Sequence, residues 1–149
     1  KVALTLSDGF CVDRHRAEFL DLIRNGVDIL FANESEIKSL YQTDDFDTAA
    51  ASVEKDARLV ALTRSAKGSL VINGSERVSI PVYPVARVED TTGAGDLYAA
   101  GFLYGIAHDL GLETAGRLGS LAAAEIISHV GARPSVSLQK LARDNGIKV

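Results

Sequence analysis

The chain alternates short apolar runs with longer segments whose apolar residues recur at helical spacing, a pattern that predicts an α/β protein. Val2 to Leu6 is a short β-prone run closed by the turn signal Ser7-Asp8-Gly9. Over residues 13–25, Ala17, Leu20 and Ile23 fall at helical spacing, with Phe19 and Leu22 nearby. Asp13 is the expected N-cap of that helix and Asn25-Gly26 its stop. Asp28 to Ala32 then reads as a buried strand. Strand, helix, strand in this order predicts a mainly parallel sheet with crossover helices. Further helices are expected over Glu34–Tyr41 and Phe46–Lys55, followed by a strand over Leu59–Thr63. Ser69–Asn73 and Arg77–Val82, separated by Gly74-Ser75, read as a hairpin. Val85–Val88 leads into a Gly-rich heptad, and the rest is predicted helical: Ala94–His108, Glu113–Val130 and Leu138–Arg143.

Composition narrows the picture. A chain of 149 residues fits one domain with a real core, and 46% hydrophobic with 24% charged residues is ordinary for a globular protein. The net charge of −4, without a basic block, argues against a nucleic-acid surface. Cys11 stands alone, so no internal disulfide forms, and no Cys/His cluster has zinc spacing. No apolar run is long enough to span a bilayer and no signal-peptide pattern occurs, so a cytoplasmic location and no membrane partner are expected. Cys11 reads as a small buried hydrophobe, and His15, His108 and His129, on separate helices, read as structural.

Candidate chemistry concentrates in the heptad Asp90-Thr91-Thr92-Gly93-Ala94-Gly95-Asp96. Gly93 and Gly95 let backbone N–H groups approach a ligand with no Cβ in the way. The helix that follows adds unpaired donors and the positive end of its dipole, so the turn suits a phosphate. A carboxylate at Asp96 would repel that anion unless it serves as the base that takes a proton from an attacking hydroxyl. The helix N-terminus favours its ionised form. The combination predicts phosphoryl transfer. No Gly-x-x-x-x-Gly-Lys-Ser/Thr and no Gly-x-Gly-x-x-Gly occurs, which argues against P-loop and dinucleotide-binding proteins.

This heptad, followed by a small-residue helix, resembles the C-terminal signature of the ribokinase/pfkB carbohydrate kinases, with surroundings most similar to the adenosine-kinase-like branch. The resemblance implies a three-layer α/β/α fold with a mainly parallel sheet. It also implies transfer of the γ-phosphoryl of ATP to a primary hydroxyl of a nucleoside or sugar, adenosine being favoured. In the family the Gly-Ala-Gly turn is the anion hole and the last Asp the base, here Gly93, Ala94, Gly95 and Asp96. Residues 1–149 would be the nucleotide-binding and catalytic portion of such a kinase, inactive alone. Most of the acceptor pocket and the lid would lie in an N-terminal half that this sequence lacks. A ribose- or fructose-type sugar acceptor is the alternative within the family; a non-catalytic nucleotide-binding module is the alternative outside it.

Three further segments join the argument. Asn33-Glu34-Ser35-Glu36 follows a strand end, where ligands bind in open α/β sheets. Its Asn-x-x-Glu spacing is that of a capping box and also resembles the family segment serving magnesium and phosphate, so Asn33 and Glu36 are expected there, Glu36 reaching Mg²⁺ through water. Thr63-Arg64-Ser65-Ala66-Lys67-Gly68 resembles the family loop that holds nucleotide phosphates, with Ser65 in place of a glycine; Thr63, Ser65 and Gly68 are carried over, and Lys67 reads as a solvated loop residue. Gly101 and Gly105 are assigned to close helix packing, whereas Gly119 and Ala123 are assigned by resemblance to a wall of the adenine pocket. Finally, Gly131-Ala132-Arg133-Pro134-Ser135 resembles the family segment that helps enclose a monovalent cation. That would recruit Asp90, Thr92, Gly131 and Ser135 around K⁺.

Overall fold

The computed structural model describes residues 1–149. The elements run β1 (Ala3–Thr5), α1 (Gly9–Arg14), α2 (Arg16–Asn25), β2 (Ile29–Asn33), α3 (Glu34–Tyr41), α4 (Phe46–Asp56), β3 (Leu59–Thr63), β4 (Ser69–Asn73), β5 (Glu76–Ile80), α5 (Ala94–Ala107), α6 (Leu112–Ile126) and α7 (Leu138–Asp144). A single 3-10 turn, Ser65–Lys67, sits between β3 and β4. The chain divides into two compact units, one of residues 1–64 and 70–78, the other of residues 65–69 and 79–149.

The five strands form one sheet in the order β1-β2-β3-β4-β5. β1, β2 and β3 are parallel, with Ala3 opposite Ile29 and Ile29 opposite Leu59. The helices between them are the crossovers that parallel pairing requires. The loops after β3 and β4 are far too short for such a crossover, so the chain reverses direction there and the sheet is mixed. In the first unit the core is the sheet packed under α1–α4: Leu6, Leu30, Ile37, Leu40, Val53, Val60 and Leu62 have no solvent exposure. β2 is buried at four of its five positions and only Asn33, at its C-terminal end, is exposed.

Three expectations are corrected here. The predicted helix over 13–25 is two helices, because Asp8, read as part of a turn, caps α1 through the Phe10 amide. The chain then breaks at His15, whose φ of −121° is not helical, and α2 follows. Helix α6 ends at Ile126, four residues before the predicted Val130, and the backbone turns there toward Gly131. Cys11 is exposed rather than buried, since α1 begins earlier than expected and carries it on the outer face. α3, β3 and β4 fall where the pattern places them, and β1, β2, α4, β5, α5 and α7 differ from it only at their ends. No helix is long and apolar enough to cross a membrane.

In the second unit α5 and α6 pack through glycines. A Cβ on Gly101 would lie 2.5 Å from the Leu118 carbonyl oxygen, and one on Gly105 would lie 2.6 Å from the Ala115 Cα. Gly95, in the first turn of the same helix, has open space around it. The expected contrast follows directly. Gly101→Ala should destabilise the protein by about 1–3 kcal/mol through overpacking, and Gly95→Ala should stabilise it by up to about 1 kcal/mol through helix propensity. Urea unfolding of both variants checks this; equal effects would remove the packing role of Gly101.

Candidate active site

In the first unit, the parallel register sets Asn33 beside Thr63 at the C-terminal ends of β2 and β3. Asn33 caps α3: its Oδ1 accepts from the Glu36 amide at 2.8 Å, and Glu36 Oε2 accepts from the Asn33 amide at 2.8 Å. The Asn33 Nδ2 also donates to Glu36 Oε1 at 2.7 Å. This is the complete capping box that the spacing predicts. The Glu36 side chain is consequently buried at 6% exposure. Burial pushes its carboxyl above the ordinary range; the Asn33 amide opposes that rise and the Asp8 carboxylate adds to it.

The loop after Thr63 is held at both ends. Arg64 is fixed in the first unit, its Nε donating to Glu34 at 3.0 Å and its guanidinium lying 3.6 Å over the Phe46 ring. Ser65 takes a left-handed conformation, φ 51°, although it is not glycine. The backbone shape that the glycine-bearing loop would need is therefore kept despite the substitution, and only the bare approach of a glycine Cα is given up. Gly68, φ 82°, is irreplaceable for another reason: a Cβ there would fall on the Ile80 carbonyl oxygen. Ser65 and Lys67 are exposed and Gly68 is buried.

In the second unit Gly93, φ 79°, is the left-handed N-cap of α5, and no side chain caps this helix. The Ala94 amide bonds back to the Thr91 carbonyl, and the first bond of the helix proper runs from the Leu97 amide to the Gly93 carbonyl at 2.9 Å. The Gly95 and Asp96 amides precede that bond and point out of the helix start. Asp96 is exposed in the same first turn. The turn thus offers backbone donors and one carboxylate side by side, the pairing that general-base chemistry at a phosphoryl group needs.

Behind this turn, Asp90 is tied down by three donors. Its Oδ1 accepts from the Thr92 amide at 2.9 Å and the Thr92 hydroxyl at 2.7 Å, and its Oδ2 from the Gly131 amide at 3.0 Å. The structure therefore brings Asp90, Thr92 and Gly131 together. Ser135 is engaged elsewhere, its amide and hydroxyl both donating to Glu125 Oε1 at 2.8 and 2.7 Å. His129 Nε2 lies 3.1 Å from the same oxygen, which gives that histidine the structural place expected of it. Burial raises the Glu125 carboxyl, but the Ser135 and His129 contacts outweigh this and hold it below its usual range. Sequence reasoning passed over Glu125; the available signal was one charge inside the apolar run Ala122-Ala-Ala-Glu-Ile-Ile127. Gly119 is packed onto Tyr98, since a Cβ would sit 2.8 Å from the Tyr98 carbonyl oxygen, and that contact alone accounts for a glycine there.

The Asp90 donors, the Thr92 hydroxyl first, lower its pKa to about 2. A depressed carboxylate stabilises the fold above its unfolded pKa and loses that contribution as pH falls through the folded value. The stability gap between wild type and Asp90→Ala should therefore be full above about pH 4 and close as pH falls toward 2. Chemical denaturation across that range measures it; a gap that does not change with pH would show that the Asp90 charge is not what holds the turn.

Comparison with known proteins adds identity to this geometry. The pattern of the pfkB family carbohydrate kinases matches residues 5–139. A probable sugar kinase from Rhizobium etli CFN 42 superposes with a TM-score of 0.96 and 49% identity, over 98% of this chain and 44% of that one. The adenosine kinase of Sinorhizobium meliloti superposes with a TM-score of 0.94 and 51% identity, over 96% of this chain and 44% of its own. The ribokinase of Thermotoga maritima, at 25% identity and a TM-score of 0.74, covers 84% of this chain and 43% of its own. The fold class is accordingly the ribokinase-like α/β/α expected from the resemblance. The chain spans less than half the length of these relatives. On the match across residues 5–139, this chain belongs to the pfkB family of carbohydrate kinases.

Proposed function

We propose that this chain is the nucleotide-binding and catalytic portion of an ATP-dependent kinase acting on the primary hydroxyl of a nucleoside, adenosine first, or else of a sugar. The observation that carries the reading is the exposed Asp96 carboxylate in the same helical turn as the outward-facing Gly95 and Asp96 amides. Similarity to an adenosine kinase at 51% identity favours the nucleoside, and similarity to a probable sugar kinase at 49% keeps the sugar in view. Most of the acceptor pocket is assigned to an N-terminal portion of the same protein, in keeping with the share of the relatives that this chain covers.

In this reading Asp96 takes the proton of the acceptor hydroxyl as its oxygen attacks the γ-phosphorus. The new O–P bond forms, the bond between that phosphorus and the β–γ bridging oxygen breaks, and ADP leaves with the electron pair. The Gly93 and Gly95 amides receive the charge on the moving phosphoryl, the Ala94 amide being bonded to the Thr91 carbonyl instead, and Thr63, Ser65 and Gly68 hold the nucleotide phosphates. Ala123, with Gly119 behind it, lines the adenine. Phosphoryl transfer depends mainly on positioning and electrostatics, so a site built largely of backbone donors suits it.

Magnesium, when bound, would neutralise phosphate charge. No three His, Cys, Asp or Glu side chains converge on a metal position. That fits an ion held by ATP and its own waters, with Asn33 and Glu36 ordering those waters. Each Glu36 oxygen already accepts one hydrogen bond from Asn33 and retains room for a second acceptor role. For a monovalent cation, Asp90 keeps one of about four acceptor positions, and carbonyls near Thr92 and Gly131 would complete the set with Ser135. Turnover in potassium should exceed turnover in tetramethylammonium; equal rates would remove the cation.

The decisive test is phosphate transfer from labelled MgATP by the intact parent protein across a panel of nucleosides and sugars, with its Asp96→Asn variant alongside. Losing a general base should lower turnover by about 10²–10⁴-fold while MgATP affinity survives. Near-normal turnover in that variant would overturn the base, and ATP binding with no transfer to any acceptor would leave a nucleotide-binding module.

A further inference from the structure

Residues 65–68 connect β3 to β4, yet the segment Ser65–Ser69 belongs to the second compact unit, with α5 and α6. One buried hydrogen bond joins it to α5. The Tyr98 hydroxyl and the Ser69 hydroxyl are 2.7 Å apart, and both side chains are buried at 3% exposure. Ser69 is the residue directly after Gly68, and Tyr98 stands two positions after Asp96 on α5. The Tyr98 ring is itself immobilised. It stacks with Phe102 at a centroid distance of 6.3 Å, and its Cδ2 and Cε2 atoms lie where a side chain on Gly119 would be. Burial pushes the phenol up to about 12, so the hydroxyl is neutral at physiological pH and exchanges a single hydrogen bond with Ser69.

We infer that Tyr98 and Ser69 are positioning residues: their buried hydrogen bond clamps the 65–68 loop to the helix that carries Asp96. This rests on the reading of that loop as the nucleotide-phosphate loop. Neither hydroxyl reaches solvent, so neither touches substrate, and their effect passes through the loop backbone. A buried hydroxyl pair suits this task better than an apolar contact. It has one geometry, and either partner alone would be left unsatisfied in the interior. Gly68 shows the second half of the clamp. Its amide bonds to the Ser65 carbonyl at 3.1 Å, and its Cα is pressed onto the Ile80 carbonyl, leaving the loop no slack on that side.

Tyr98→Phe, Ser69→Ala and the double variant test the clamp through two readouts, MgATP affinity by calorimetry and amide exchange. Each single variant should weaken MgATP binding by about three- to tenfold, the equivalent of one hydrogen bond. Exchange at the Gly68 and Ser69 amides should quicken while exchange in α6 does not. The double variant leaves no orphan hydroxyl and should regain thermal stability without regaining MgATP affinity. Recovery of both together, wild-type affinity in the single variants, or exchange that rises evenly through α5 and α6 would each overturn the inference, because a mere core lesion predicts them. A wild-type chain that binds no MgATP would instead overturn the nucleotide reading, and the exchange pattern would still decide whether the pair holds the loop.

Discussion

Helices α5 and α6 meet where Gly101, Gly105 and Gly119 remove the side chains that would hold them apart, and the second unit depends on that contact. Each of these glycines faces backbone or Cα atoms of the other helix, so no flexible side-chain end can move aside. A helix interior with several glycines forfeits about 1 kcal/mol at each relative to alanine. The expense is offset only if close approach is itself needed. Here it fixes the direction of α5, and with it the place of Gly93, Gly95 and Asp96 at the helix start. It also seats the Tyr98 ring over Gly119.

From that fixed helix the turn is built outward by backbone constraints. Gly93 takes the left-handed conformation that begins the helix without a side-chain cap, leaving amides for a ligand. Ala132 packs its Cβ where a side chain at Gly93 would otherwise stand, 3.2 Å from that position. Asp90 bonds to the neighbouring Gly131, and Glu125 bonds to Ser135 at the far end of the same loop. One oxygen of Glu125 remains buried without a partner. An orphaned acceptor of this kind is costly, and the two donors and the histidine on the other oxygen are what keep the carboxylate there.

The parts of this architecture that were legible in the sequence are those set by local pattern. The Asn33/Glu36 capping box, β3, the hairpin and the glycine-flanked start of α5 follow from spacing and turn chemistry alone. What was not legible depends on contacts that spacing does not announce, most of them between residues distant in sequence. Asp8 could not be told from a turn residue until its cap to the Phe10 amide was placed. Ser65 stands where the resembling loop has a glycine, yet it takes the left-handed φ of 51° all the same. Glu125 has its amide and hydroxyl donors from Ser135, ten residues on, which helical spacing does not announce. Tyr98 lies inside the predicted helix Ala94–His108, but its partner Ser69 is 29 residues away.

The same division explains why the chemistry of the site is more readable than its substrate. The donors proposed to receive phosphoryl charge are amides, so their identity is written in conformation, and glycines advertise conformation in sequence. The proposed base is one carboxylate whose position beside those amides has few other uses. Acceptor choice, in contrast, depends on side chains that fill a pocket. A hydroxyl-reading pocket discriminates by leaving buried polar groups unpaired when the wrong molecule enters. None of the groups described in the phosphate turn performs that task. An adenosine kinase and a probable sugar kinase are accordingly similar to this chain to nearly the same degree, 51% and 49% identical, and in the proposed reading acceptor choice rests on residues outside the turn.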